Sequence, residues 1–124
     1  MHPTAKRPAT VHRRRALFEE AAAIIEAEYP SKLALNDVAR RVATSRRQLQ
    51  RAFAEAGATS FRSYLHHVRM NRAAELLRAG HGSVNQVASA VGYRQPAQFA
   101  KAFRRYHGAL PSSYRGVAPE PLAA

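Results

Sequence analysis

The sequence predicts an all-α fold in which two helix-turn-helix subdomains are joined by a long linker helix, about seven helices in all. Three observations predict it. The stretch "VATSRRQLQRAF" (42–53) returns some fifty residues later as "VGYRQPAQFAKAF" (91–103). Apolar residues recur at three- and four-residue spacings, the period of a helix with one buried face. At 124 residues the chain is one domain's worth, or two very small subdomains sharing an element, because smaller units rarely bury enough core to fold alone.

The elements follow in order. Residues 1–10, with two prolines and no periodic apolar pattern, read as a mobile basic tail. Leu17, Phe18, Ala21, Ala22, Ile24, Ile25 and Tyr29 then mark a first amphipathic helix stopped by Pro30. "LNDVARRVA" gives a short helix with Leu35, Val38, Ala39 and Val42 inward, and Ala43-Thr44 make a turn. Ser45 opens the next helix with Gln48 three residues on, the spacing of a capping box; Leu49, Ala52, Phe53 and Ala56 are its buried stripe and Gly57 its end. The small Ala39 lets the second of these helices cross the first closely. This first subdomain spans residues 11–60.

Residues 61–79 carry Phe61, Tyr64, Leu65, Val68, Ala73, Leu76 and Leu77, with Gly80 as terminator. That is a linker helix of about nineteen residues, hence about 28 Å long. The second subdomain, 80–116, repeats the first. Ser83 and Gln86 make a second capping box, and Val84, Val87, Ala88 and Val91 repeat the spacing of Leu35, Val38, Ala39 and Val42. Gly92-Tyr93 is the turn, Pro96 takes the first helical position, and Phe99, Ala102, Phe103 and Tyr106 form the inward stripe, with Tyr114 completing the core. Residues 117–124 read as a disordered tail.

Composition points to a polyanionic partner. Twenty Lys and Arg against eight Asp and Glu give a net charge of +12, and the excess lies almost wholly from Ser31 onward. No apolar run approaches the length of a membrane span and the N-terminus lacks a signal peptide's hydrophobic core, so a cytoplasmic protein is expected. The absence of cysteine excludes disulfides and thiolate metal sites. The histidines have no metal-ligand spacing and the carboxylates of the repeat region are scattered, so the sequence predicts no catalytic residues, no metal and no cofactor.

With the stripe of the Ser45 helix inward, 100° steps place Arg47, Gln50, Arg51 and Ala54 on the opposite face. Arg is a two-pronged donor for guanine and Gln both donor and acceptor for adenine, so these residues suit base edges, while Arg46 at the helix start suits phosphate. The second reader exposes Ala97, Ala100, Lys101 and Arg104, with Pro96 and Gln98 at the margins. Alanine meets a thymine methyl but makes no hydrogen bond, so the first unit is expected to specify more sequence than the second. Arg13, Arg14 and Arg15 fall at the start of the first helix, where the dipole disfavours cations; they are either favoured by a phosphate backbone or part of a frayed, solvated end, and Arg14 is assigned to phosphate together with Arg94 and Arg105. His66, His67, Arg69 and Arg72 on the linker helix read as a solvated outer face with a lesser expectation of phosphate contact. Two helices reading one face of B-DNA sit about 34 Å apart, a span that the linker helix and its flanks match.

In these segments the chain resembles the DNA-binding domain of AraC/XylS-type bacterial transcription regulators. The resemblance covers roughly Val11 to Gly116 and rests on "LNDVARRVATSRRQLQRAF", "SFRSYLHHVRMNRAAELL" and "VNQVASAVGYRQPAQFAKAFRRYHGALPSSYR", whose last part carries Gly92, Phe99, Phe103, Arg104, Gly108, Pro111, Tyr114 and Arg115 in the family's order. It implies base reading by Arg47, Gln50 and Arg51 in the first unit and by Ala97, Gln98 and Lys101 in the second, and leaves Arg104 as a phosphate contact. With only about ten residues ahead of the first helix, the chain looks like stand-alone MarA/SoxS-type members. That form implies a monomer on double-stranded DNA beside RNA polymerase, with no small-molecule effector domain. Two positions depart from the pattern: Ala34 stands where Ser83 caps the second unit, and Ala43 stands where a turn glycine is usual.

The competing reading is a weakly specific architectural DNA-binding protein, supported by the charge and the alanine-rich second reader. It predicts steep salt dependence with little sequence preference. A membrane-surface role would need a free apolar helix face, and each apolar stripe here has a partner helix to cover. The phenylalanines at 53, 61, 99 and 103 have the spacing of core residues rather than of a single-strand stacking platform.

Overall fold

The computed structural model describes residues 7–116, and among them every regular element is helical: α1 (Pro8–Glu28), α2 (Leu35–Arg41), α3 (Arg46–Gly57), α4 (Phe61–Arg78), α5 (Val84–Ala90), α6 (Pro96–His107) and a 3-10 turn at Pro111–Tyr114. Two compact units result. One comprises residues 7–28 and 33–65; the other comprises 66–116 together with the short segment Tyr29–Lys32. Helix α4 thus contributes its first residues to one unit and the remainder to the other.

In the first unit, Leu17, Ala21 and Ile25 line one face of α1 at four-residue steps and are buried with Val38 and Ala39 of α2, Leu49, Ala52 and Phe53 of α3, and Phe61 and Leu65 of α4. Phe53 is the hub. Its ring meets Phe18, Phe61 and Tyr64 edge-on at centroid distances of 5.1, 5.9 and 5.9 Å. Burying one such side chain contributes about 1.5–3 kcal/mol.

Helix α1 starts at Pro8, so Pro8, Ala9 and Thr10 are helical rather than tail, and Arg13–Arg15 lie more than a turn inside it instead of at its start. The rest of that tail and the C-terminal one, 117–124, lie outside the described residues. Gly57 is the last residue of α3, but the left-handed residue that ends the helix is Ala58, with φ 52°. Gly57 has a different reason to be glycine: a Cβ there would stand 2.5 Å from Cε1 of Phe18.

In the second unit, Met70, Ala73, Ala74 and Leu77 of α4 form one core with Val87, Ala88, Val91, Phe99 and Phe103. Tyr29, Tyr93 and Tyr114 pack against its edge, so Tyr114 is half-buried rather than central. Met70 escaped the periodicity because 100° steps put it about half a turn from Phe61: the apolar stripe of α4 changes phase along the helix. The capping box at Ser83 is complete, with Gln86 N donating to Ser83 Oγ at 3.1 Å and Ser83 N donating to Gln86 Oε1 at 2.8 Å. Past the 3-10 turn the chain is tied back by Gly116 N donating to Leu77 O at 2.9 Å.

Candidate nucleic-acid interface

Each unit presents one helix whose inner face is locked and whose outer face is polar. In α3, Ser45 caps the N-terminus, its Oγ accepting from Gln48 N at 3.1 Å, while Leu49 and Phe53 hold the inner face. Arg46, Arg47, Gln50, Arg51 and Ala54 are all exposed. In α6, Pro96 takes the first turn and Phe99 and Phe103 are fully buried, which leaves Ala97, Gln98, Lys101, Arg104 and Arg105 exposed. Arg94, in the turn before α6, is exposed as well. Ala100 is half-buried, so the outer face of α6 is narrower than the helical wheel gives.

The turns that orient these helices have one hydrogen-bond pattern. After α2, Thr44 N donates to Ala39 O and Ala43 N to Arg40 O; after α5, Tyr93 N donates to Ala88 O and Gly92 N to Ser89 O. This six-to-one and five-to-two pairing closes a helix around a left-handed residue, here Ala43 in one unit and Gly92 in the other.

Four arginines are paired with carboxylates. Arg14 is bonded to Glu55, Arg40 to Asp37, Arg72 to Glu75 at 3.0 Å, and Arg41 to both carboxylate oxygens of Glu28 at 2.8 and 2.5 Å. The Arg41 hydrogen bond holds the Glu28 carboxyl below its ordinary range. By contrast, among the described residues no carboxylate engages Arg46, Arg47, Arg51, Arg94, Lys101, Arg104 or Arg105. An exposed cation without a carboxylate keeps its full charge for a polyanion.

Three expectations change. The side chain of Arg14 is only 12% exposed and its charge is spent on Glu55, so a phosphate contact there would have to break that pair. Tyr106 is exposed rather than inward: it lies one turn beyond Phe103 at the end of α6, its ring edge-on to His66 and His67 and its hydroxyl bonded to His67 Nδ1. Arg69 is not a solvated outer residue. Its Nε donates to Tyr29 O at 2.8 Å and its Nη2 to Ser31 O at 2.9 Å. Burial pulls the Arg69 guanidinium down from its usual value against the opposing influence of Tyr93, and burial likewise pushes the Tyr93 phenol up.

Sequence reasoning also missed Arg78, whose guanidinium sits 4.8 Å over the Tyr114 ring. The pair lies 36 positions apart, beyond the reach of local periodicity. Among the described residues no group of three or more His, Asp or Glu is placed to hold a metal ion, and no helix is long and apolar enough to cross a membrane.

The family described as "Helix-turn-helix domain" matches residues 38–116. The Msm operon regulatory protein of Streptococcus mutans is 35% identical over 92 residues, which are 74% of this chain and 33% of that protein. The chain spans between 22% and 38% of the length of curated relatives of this kind. A solved transcriptional regulator from Chromobacterium violaceum, described by its AraC-type DNA-binding domain, superimposes with a TM-score of 0.78 at 30% identity, covering 84% of this chain and 93% of that one. The DNA-binding domain of the global transcriptional factor AdpA, solved with a target DNA, does so with a TM-score of 0.73 at 28% identity, covering 79% and 88%.

Proposed function

Because the chain belongs to the helix-turn-helix family of AraC-type DNA-binding domains, we propose that it regulates transcription by binding duplex DNA as a monomer, with α3 and α6 in successive major grooves of an asymmetric site. The observation that carries this reading is the charge of the two exposed helix faces: their cations have no described carboxylate partner, while Arg14, Arg40, Arg41 and Arg72 are paired with carboxylates. Arg47, Gln50 and Arg51 read base edges from α3, and Ala97, Gln98 and Lys101 do so from α6. Arg46, Arg94, Arg104 and Arg105 hold phosphates.

A helix-turn-helix dimer brings two readers to two half-sites. Here one chain carries two, and their unlike side chains require an asymmetric site. This reading places its action in the cytoplasm beside RNA polymerase.

The test is selection of binding sites from random duplex DNA. Two unequal sequence blocks about one helical turn, roughly 34 Å, apart are expected. A palindromic consensus would replace the monomer with a dimer, and no enriched sequence would favour an architectural role.

A further inference from the structure

Within the second unit, a cleft of 640 Å³ opens between the end of α5, the Gly92 turn and the start of α6, lined among others by Ser89, Arg94, Gln95 and Gln98. Its opposite wall is the segment Tyr29–Lys32, which puts Lys32 and Arg69 on the cleft. That segment is seated by three contacts: Tyr29 packs on the core edge, Arg69 donates to the carbonyls of Tyr29 and Ser31, and the Pro30 carbonyl lies so close to Gly92 that a Cβ there would stand 3.0 Å away. Among the described residues neither Lys32 nor Arg94 is ion-paired, and Glu75, bonded to Arg72, is the only carboxylate of this unit.

The first helix of a helix-turn-helix lies across the sugar-phosphate backbone while the second enters the groove. The cleft is at that junction: it runs from Ser89 on α5 to Gln98 on α6, with cations on both walls and no carboxylate.

We propose that this cleft receives a backbone phosphate of the bound DNA, with Lys32 and Arg94 as its contacts and Arg69 as the positioning residue that holds the Lys32 segment against the second unit. The proposal rests on the DNA-binding reading above and adds to it a residue from outside the repeated sequence. Lys32 supplies register, not base preference, to the second reader. Arg69 spends its donors on backbone carbonyls, so it acts through Lys32.

The test is titration of the full chain with its selected duplex and with a scrambled duplex across a salt series. Lys32→Ala is expected to weaken both duplexes by the same factor and to make the slope of log K against log salt shallower by about 0.9, one phosphate's worth of counterions. Lys32→Arg should restore the slope. In an Arg69→Gln background, Lys32→Ala should have little further effect, whereas a merely structural Arg69 would leave the Lys32 effect intact. An unchanged slope in Lys32→Ala, with an unchanged melting temperature, overturns the cleft assignment while leaving the DNA-binding reading standing. If the wild-type chain binds neither duplex, both fall.

Discussion

Ala43 and Gly92 hold the same corner in the two helix-turn-helix turns, both with left-handed backbone at φ 58° and 100°, but only Gly92 has another segment pressed against it. A Cβ on Gly92 would stand 3.0 Å from Pro30 O and 3.2 Å from Arg69 Nε, whereas Ala43 is exposed. The first turn tolerates a side chain at the cost of backbone strain, and the second does not.

Ala43→Gly should therefore stabilise the fold. Relief of left-handed strain is about 1–2 kcal/mol, and the added freedom of the unfolded chain offsets about 0.4–1 of it. Gly92→Ala should destabilise by about 2 kcal/mol or more, since strain and crowding add. Chemical denaturation of the two variants checks both signs.

Gly57→Ala tests the packing of α3 against α1. In an ordinary helix this change stabilises by about 0.5–1 kcal/mol. Here the new methyl meets the Phe18 ring, which is itself wedged between Phe53 and Tyr64 at centroid distances of 5.1 and 5.7 Å. Overpacking of that kind costs about 1–3 kcal/mol, so a lowered melting temperature is expected.

Ala34→Ser should add the cap that α2 lacks. Ala34 already has the extended backbone of an N-cap residue, φ −120° and ψ 145°, but no side-chain hydrogen bond, whereas Ser83 makes one at the matching place. A gain of about 0.5–2 kcal/mol is expected, with DNA preference unchanged in a binding titration.

On the DNA side, Arg47→Ala and Arg51→Ala should each lose about 1–3 kcal/mol and relax preference at one base pair. Arg46→Ala should weaken all sequences alike. Arg14→Ala should act differently from all three, lowering stability through loss of its largely buried bond to Glu55 while leaving the salt slope unchanged. Competition binding with single-base variants of the selected site separates these outcomes.

Much of this was legible in the sequence, for identifiable reasons. Leu49, Phe53, Phe99 and Phe103 announce their burial because each belongs to a stripe repeated at helical spacing, and the repeat itself aligns one turn with the other. Exposed faces follow by subtraction, and Arg47, Gln50, Arg51 and Lys101 lie on them. What local pattern cannot carry is pairing across long separations. Glu55 lies 41 positions from Arg14, and the carbonyls that engage Arg69 lie 40 and 38 positions away, so one cation looked free and the other solvated when both are engaged. Tyr106 had the spacing of a core residue but sits at the end of α6, where the core no longer covers it. Met70 was hidden by the change of phase along α4.

The most direct test of the account is the affinity of the chain for its selected duplex and for a scrambled duplex of equal length, each titrated at two salt concentrations. The account predicts that the selected site binds at least about a thousandfold tighter. Equal affinities that fall together as salt rises would contradict it, because α3 and α6 would then grip the backbone alone.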